Sequence, residues 1–471
     1  MYSHSIESQE VLHYRPSDGW CGDFIPFFWE GRYHLFYLLR RGREPLSWAH
    51  IVSSDLRYWE ELPISLSSGE KGEPDAGGCW TGSVIHYEGI FHIFYTGYNN
   101  ELSTPQTICH ATGNDLIHFQ KDSANPILSP DIRWYEEQDW RDPFVFWNEE
   151  ETCWWMLITA RVKEGISPRR GCIALATSSD LIHWQVHPPL WNPSLIYAPE
   201  CPALISLKGK RYLIFSCGET RYRLIEQLKG KWLAPSEDTL DGPCFYAAKT
   251  LNDGKREILF GWLATREGEK DTGAWEWGGH LAIPRQILSK EDGLGVIPVE
   301  EAVSFFRQVL KKEEEWKEFK AKEGEWKFGK DKLRVSRQDG RAIILYEAPP
   351  DYLLKGMLEV EEKTRRFGFL IRTNERIDSG YMISFEPGRQ AFALYKWNKW
   401  SEPIPELVRP LNIQIHKPLN FQIFIEGSIL EVFANEETVL SYRIYDPLYE
   451  EMALFLDDGT VSLRDFKMLG K

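Results

Sequence analysis

Apolar runs rich in Tyr, Phe, Trp, Ile and Val recur along this chain between turns built of Gly, Asp, Asn and Pro. Runs of that composition, bounded in that way, predict antiparallel β-strands. The first part of the chain repeats one unit, a turn followed by an aromatic strand, at 31–39, 89–97, 151–160, 208–217 and 254–263. Three units carry a second echo, Ser53-Ser54-Asp55-Leu56, Gly113-Asn114-Asp115-Leu116 and Ser178-Ser179-Asp180-Leu181, at a recurrence of roughly 60 residues. An Asp at such a place bonds the backbone N–H groups that follow it, so Asp55, Asp115 and Asp180 are expected to shape turns. Five repeated sheets set around an axis make a five-bladed β-propeller, in which the innermost strand of every blade borders a central channel. This propeller is expected to span 1–298. Over 299–325 the pattern becomes helical and heavily charged, with Phe305, Phe306, Val309 and Leu310 on one face, and reads as a connector. Alternating strands return in 326–471, for example Phe367-Gly368-Phe369-Leu370-Ile371 and Ile429-Leu430-Glu431-Val432-Phe433, at a spacing that suits a β-sandwich. The fold class is therefore all-β.

At 471 residues and 42% hydrophobic, the chain can bury more than one core. Its net charge of −15 comes without a basic stripe, which argues against nucleic acid or an anionic membrane as partner. A neutral partner fits better, and the 20 Trp hint at carbohydrate, although large aromatics mostly fill cores. The first ten residues lack a basic then apolar leader, and no later stretch has the length of a membrane span, so a cytoplasmic location is expected. Eight scattered cysteines without a Cys-x-x-Cys pattern point to reduced thiols, neither a zinc site nor a disulfide framework.

Three acids precede repeated strands by a similar offset: Asp23 in Trp20-Cys21-Gly22-Asp23, Asp142 in Trp140-Arg141-Asp142-Pro143, and Glu200 in Pro199-Glu200-Cys201-Pro202. They are expected on the innermost strands of blades one, three and four, converging on the axis, with Trp80-Thr81-Gly82-Ser83 at the corresponding place in blade two. Each alone reads as an ordinary turn acid. Together, beside aromatic neighbours and prolines, they point to a site, because acids are costly against apolar strands. Retaining glycoside hydrolysis needs one carboxylate to attack the anomeric carbon and one carboxylic acid to protonate the leaving oxygen, about 5–5.5 Å apart. A third carboxylate raises the pKa of the acid and holds sugar hydroxyls. Arg141 is placed to keep that third group ionised or to meet substrate. Trp48, Trp80, Ser83, Trp262, Glu267 and Trp277 fall on motif or strand-end positions facing the channel mouth, with a core role as the equal alternative for each. His50 and His280 read as histidines satisfied within the fold.

In order along nearly the whole chain, these motifs resemble glycoside hydrolase family 32, the invertase, inulinase and levanase family. The stretch from Trp20 to Pro26 resembles the nucleophile motif, Trp80-Thr81-Gly82-Ser83 the Trp-Ser/Thr-Gly-Ser motif, Arg141-Asp142-Pro143 the Arg-Asp-Pro motif, and Glu200-Cys201 the Glu-Cys motif. Ala282-Ile283-Pro284-Arg285-Gln286-Ile287 is similar to the segment that closes the propeller, and Arg443-Ile444-Tyr445 to the end of the sandwich. The resemblance implies a retaining hydrolase that needs no metal or other cofactor, with Asp23 as nucleophile, Asp142 as transition-state stabiliser and Glu200 as acid/base. It also implies Trp20 and Arg141 among the groups that meet a small oligosaccharide. One departure bears on substrate. Where the family usually writes Trp-x-Asn-Asp-Pro-Asn-Gly, this chain reads Trp20-Cys21-Gly22-Asp23-Phe24-Ile25-Pro26, so both asparagines are absent. Three readings stand: a fructofuranosidase acting on sucrose, a fructo-oligosaccharide or a difructose dianhydride; a propeller glycosidase of other furanoside specificity, arabinofuranosidase-like, or a fructosyltransferase; and a non-catalytic carbohydrate-binding protein. A homo-oligomer is left open.

Overall fold

Three of the five repeated turns are two-residue hairpin loops, and those after Asn148 and Asn252 have four residues. Trp29 pairs with Arg32 across Glu30-Gly31, Tyr87 with Ile90 across Glu88-Gly89, and Leu207 with Lys210 across Lys208-Gly209. Both central residues of each loop have positive φ, from 47° to 82°, as type I′ turns require. Each turn thereby fixes the register of the two strands that flank it. The computed structural model describes residues 9–312, 320–329, 332–398 and 404–471.

Five antiparallel sheets follow one another as propeller blades. Their innermost strands are Trp20–Trp29, Gly78–Tyr87, Tyr135–Asn148, Glu200–Leu207 and Phe245–Asn252. In blades one to four each is followed by three strands in sequence order, outward from the axis. Ring closure joins the first blade to the last: Cys21 pairs with Gly279 of strand Trp275–Leu281. The seams between blades are apolar. Phe36, Leu38 and Trp48 of blade one interleave with Phe91, Ile93 and Tyr95 of blade two. Phe94 and Ile108 of blade two meet Trp140, Met156 and Ile158 of blade three, and Trp155 and Leu175 meet Leu213 and Phe215 of blade four. Much of the aromatic excess is therefore core.

The echoed aspartates are structural. Asp55 Oδ1 accepts the N–H groups of Arg57 and Tyr58, Asp115 Oδ1 those of Ile117 and His118, and Asp180 Oδ1 those of Ile182 and His183, all within 2.7–3.1 Å.

Two compact units emerge. The first runs to Asp238 and adds Phe245–Ala264 and Trp277–Gly293; the second comprises Thr239–Cys244, Thr265–Glu276 and Leu294–Lys471. In the second unit two long strands, Lys332–Glu347 and Glu451–Gly470, pass through both layers of a sandwich. Both bend where φ is positive, at Asp339-Gly340 and at Asp458-Gly459. Before its bend Glu451–Gly470 pairs with Arg366–Thr373, and beyond it with Tyr352–Val360. Phe369, Phe421, Ile423, Val432 and Phe466 fill the space between the layers.

The helical connector expected over 299–325 is a correction. Among the described residues helix covers only Glu300–Val303, Gln308–Lys312 is a strand paired with Glu451–Gly470, and Lys320–Glu323 and Glu325–Phe328 are strands on Lys332–Glu347. The stretch 313–319 lies outside the described residues. Open ladder positions on the two long strands outweigh a helical periodicity with one short apolar face.

Candidate active site

Every innermost strand is broken by a bulge near its start. The ladder slips between Gly22 and Ile25, Trp80 and Gly82, Arg141 and Phe144, Glu200 and Ala203, and Tyr246 and Lys249. A bulge adds residues to one strand and re-aims side chains, here at the channel. The last paired residues before the slip form one layer, Gly22, Trp80, Arg141, Glu200 and Tyr246. The next residues form a second layer, Asp23, Thr81, Asp142, Cys201 and Ala247. In that layer Asp23, Asp142, Cys201 and Ala247 all have φ between 46° and 59°. The offset expected to be common to all three acids therefore needs correction. Asp23 and Asp142 are equivalent, whereas Glu200 sits one residue earlier, because its strand gives the bulge position to Cys201.

The layers explain the contacts. Arg141, Glu200 and Tyr246 come from adjacent blades at one level. The Arg141 Nη2 donates to Glu200 Oε1 at 2.9 Å, and the Tyr246 hydroxyl donates to Glu200 Oε2 in a short hydrogen bond. Arg141 is held in turn by Asp139 at 2.5 Å and by Gln106 Oε1 at 3.2 Å. Asp142 is buried, its Oδ2 accepting the Cys201 N–H at 3.0 Å, with Thr159 Oγ1 at 3.2 Å. Burial pushes its pKa up; Arg141 and Lys249 oppose that, and Glu200 adds to it. For Asp23, burial and then the Asp142 charge raise the pKa to about 7, with Glu200 adding and Lys249 opposing. The Trp262 indole N–H also favours the Asp23 carboxylate, although it falls short of full hydrogen-bond geometry. Buried Lys249 crosses the floor of the ring to donate to Gly82 O at 2.5 Å.

These groups open into one cavity of about 400 Å³. Asp23, Asp142, Glu200, Trp80, Arg141 and Trp277 line it, together with Leu38, Arg40, Leu46, Cys201, Tyr246 and Ala247. The other expected contacts lie elsewhere. Trp48 is fully buried and donates to Trp80 O at 2.9 Å, and the Ser83 hydroxyl accepts the Val145 N–H at 3.1 Å. Both brace the wall. Trp262 is buried behind it, packed edge-on to Tyr246 and tilted against Trp277. Trp20 lies outside the lining, under the Arg15 guanidinium at 4.3 Å. Glu267 is exposed in a short 3₁₀ turn, Glu267–Glu269, and belongs to the second unit. His50 is buried within hydrogen-bond reach of His34, stacked on Phe36, and burial holds its pKa well below the usual imidazole value. His280 is half-buried. Tyr246 and Lys249 were not singled out from sequence. Counting back from the start of the fifth unit at 254 by the same offset that separates Glu200 from the start of the fourth unit at 208 reaches Tyr246.

A ring of bulged inner strands that gathers three carboxyls, an arginine and aromatic walls in one cavity defines a β-propeller enzyme of the glycosidase type. The chain belongs to glycoside hydrolase family 32: the model of the family's N-terminal domain matches residues 13–297, and that of its C-terminal domain residues 322–469. It is 26% identical to a raffinose invertase of Escherichia coli, over 97% of this chain and 93% of the relative. It is 27% identical to a sucrose-6-phosphate hydrolase of Escherichia coli, over 96% and 93%. In fold it is similar to a sucrose-6-phosphate hydrolase from Lactobacillus gasseri, with a TM-score of 0.76 at 20% identity over 98% of this chain and 93% of that one. An exo-inulinase from Aspergillus awamori gives a TM-score of 0.73 at 19% identity, over 97% and 96%.

Proposed function

We propose that this protein is a retaining fructosidase that removes a terminal fructofuranosyl unit from a small fructoside. The observation that carries the reading is the convergence of Asp23, Asp142 and Glu200 on one cavity at two adjacent levels. Ionised Asp23 attacks the anomeric carbon while Glu200, held by Arg141 and Tyr246, gives its proton to the departing oxygen. Water then attacks the glycosyl-enzyme bond, Glu200 takes up the water proton, and Asp23 is released. Asp142, fixed by the Cys201 N–H, supplies charge against the oxocarbenium character of the sugar ring and accepts its hydroxyls. No disulfide joins the eight cysteines, all of them among the described residues, which supports a cytoplasmic setting.

The leaving sugar is open between neutral and phosphorylated forms. Arg40 lines the cavity and makes no ion pair among the described residues, which favours an anionic substituent on that sugar, as the names of several relatives also do. The test is product release by wild type and Asp23→Ala from sucrose, sucrose 6-phosphate, inulin and levan oligosaccharides, difructose dianhydrides and aryl arabinofuranosides. Fructose release by wild type and not by the variant is expected. Release only from an arabinofuranoside, or sugar binding without turnover on all substrates, would replace the proposal by the corresponding reading.

A further inference from the structure

The innermost strand of blade three is broken twice, whereas among the described residues the other four are broken once. Besides the slip after Arg141, its ladder skips from Tyr135 to Trp140 while the partner strand steps only from Val162 to Ala160. Four residues, Glu136 and Asp139 among them, therefore stand against the single residue Arg161. Arg161 is fully buried and held on every side. Glu136 pairs with its Nε, Nη1 donates to Tyr197 O and Nη2 to Ser167 O at 2.9 Å each, and the guanidinium lies 3.8 Å from the centre of the Tyr197 ring. Asp139 bridges this fixed cation to the site: its Oδ2 lies 3.4 Å from Arg161 Nε, and its Oδ1 accepts from Arg141 Nη1 at 2.5 Å. Charges thus alternate from Arg170 through Glu136, Arg161, Asp139 and Arg141 to Glu200. Asp139 itself is buried behind Arg141, outside the cavity lining.

We propose that Asp139, anchored by Arg161, is a positioning residue for proton transfer to the leaving oxygen: it holds Arg141 so that Nη2 keeps the Glu200 carboxyl aimed in one direction. The proposal rests on Glu200 being the acid/base. Arg141 needs such a hold because it meets three acids, Asp139 at Nη1, Glu200 at Nη2, and Asp142 at 3.8 Å from Nε. In each cycle Glu200 gives up and regains a proton, so its attraction for Arg141 comes and goes. Whenever that attraction drops, Asp142 draws the guanidinium toward the level that faces the sugar. A carboxylate fixed on the opposite side resists the swing, since opposite charges a few ångströms apart interact strongly away from water. Asp139 acts only through Arg141 and meets no substrate.

The test compares kcat/KM of wild type, Asp139→Asn and Glu200→Gln on two substrates. One is sucrose or sucrose 6-phosphate, whichever the wild type cleaves, whose sugar leaving group needs a proton; the other is 4-nitrophenyl β-fructofuranoside, whose phenolate departs without one. Because kcat/KM reports events up to cleavage of the glycosidic bond, the later attack by water does not enter. A catalytic group displaced by about 1 Å loses up to about a hundredfold, within the whole worth of a general acid. Asp139→Asn, which keeps the shape and removes the charge, is expected to lower kcat/KM about ten- to a hundredfold on the sugar-leaving substrate and less than about threefold on the aryl one. A merely structural role lowers both alike. Equal losses on the two substrates, or no loss on either, overturn the proposal. If Asp139→Asn does not fold, Arg161→Lys, which slackens the same carboxylate from behind and keeps the charge, is read in the same comparison with the same overturning results. Glu200→Gln is expected to show the same selectivity in larger measure. Equal losses in Glu200→Gln, or a wild type that cleaves neither substrate, refute the role given to Glu200 in the proposed function; selective loss there with equal losses in Asp139→Asn refutes the role of Asp139 alone.

Discussion

Replacing Asp23 with Asn should make the protein more stable and abolish turnover. The structure sets the size and pH dependence of the gain. Burial and the neighbouring Asp142 and Glu200 charges raise the Asp23 pKa from 3.8 to about 7. Ionising this carboxyl in the folded protein is thus harder than in the unfolded chain, by an upper bound of about 4 kcal/mol at 1.36 kcal/mol per pKa unit. The sign follows from proton binding. Below about pH 4 both states hold the proton and Asp23 costs nothing; between pH 4 and 7 the unfolded chain gives it up first, and stability falls; above 7 the penalty is constant. Asn has nearly the same shape and no charge, so it removes the penalty. Allowing for relaxation and for water in the open cavity, about 1–3 kcal/mol should be gained at pH 8 and under about 0.5 kcal/mol at pH 3.5. Urea unfolding followed by tryptophan fluorescence, which reports mainly the propeller, measures both. A variant no more stable than wild type at pH 8, or equally stabilised at both pH values, would refute the view that the pocket holds its nucleophile at a cost to the fold.

Other expectations test single elements of the same picture. Lys249→Met removes a cation that lowers the Asp23 pKa, so the acid limb of kcat/KM should move above its wild-type position near 7, with activity lost more at pH 6 than at pH 8; an unmoved limb would count against it. Gly82→Ala puts a Cβ 1.9 Å from the Phe94 carbonyl oxygen, and should destabilise the protein by about 3 kcal/mol or more, read as a lower Tm. In the sandwich unit, fully buried Asp241 accepts the Ser441 N–H at 2.9 Å and the Ser441 hydroxyl at 2.5 Å; Asp241→Ala should cost about 2–4 kcal/mol in denaturant unfolding without changing the pH profile of turnover.

How far the sequence carries the fold differs between the two units for a physical reason. In the propeller the innermost strand pair of each blade is closed by a turn of two or four residues, so Glu30-Gly31, Glu88-Gly89 and Lys208-Gly209 announce hairpin, register and repeat together. In the sandwich the defining elements are Lys332–Glu347 and Glu451–Gly470, which pair with several partners far away in sequence and change layer at Asp339-Gly340 and Asp458-Gly459. Nothing local distinguishes such a bend from a turn that ends a strand. The same reason explains why 299–325 read as helix: Phe305, Phe306, Val309 and Leu310 fit a helical face, and only the distant ladder on Glu451–Gly470 makes Gln308–Lys312 a strand.

The site follows a finer rule. Motif spacing led to Asp23, Asp142 and Glu200, yet spacing alone treats them as one kind of residue. The bulge makes them two kinds. A residue just before the slip, like Glu200, lies level with its counterparts in adjacent blades and can be clasped by them, as Arg141 and Tyr246 do. A residue at the slip, like Asp23 or Asp142, turns through positive φ and lies one level away, near Lys249 and the Cys201 N–H. Under the proposed mechanism, one repeated backbone irregularity thus separates the group that carries a proton to the leaving oxygen from the groups that face the sugar ring as anions. Because the bulge of blade four gives its second position to Cys201, that blade can supply Glu200 as the proposed acid/base and, through the Cys201 N–H, anchor Asp142 of blade three at the same time.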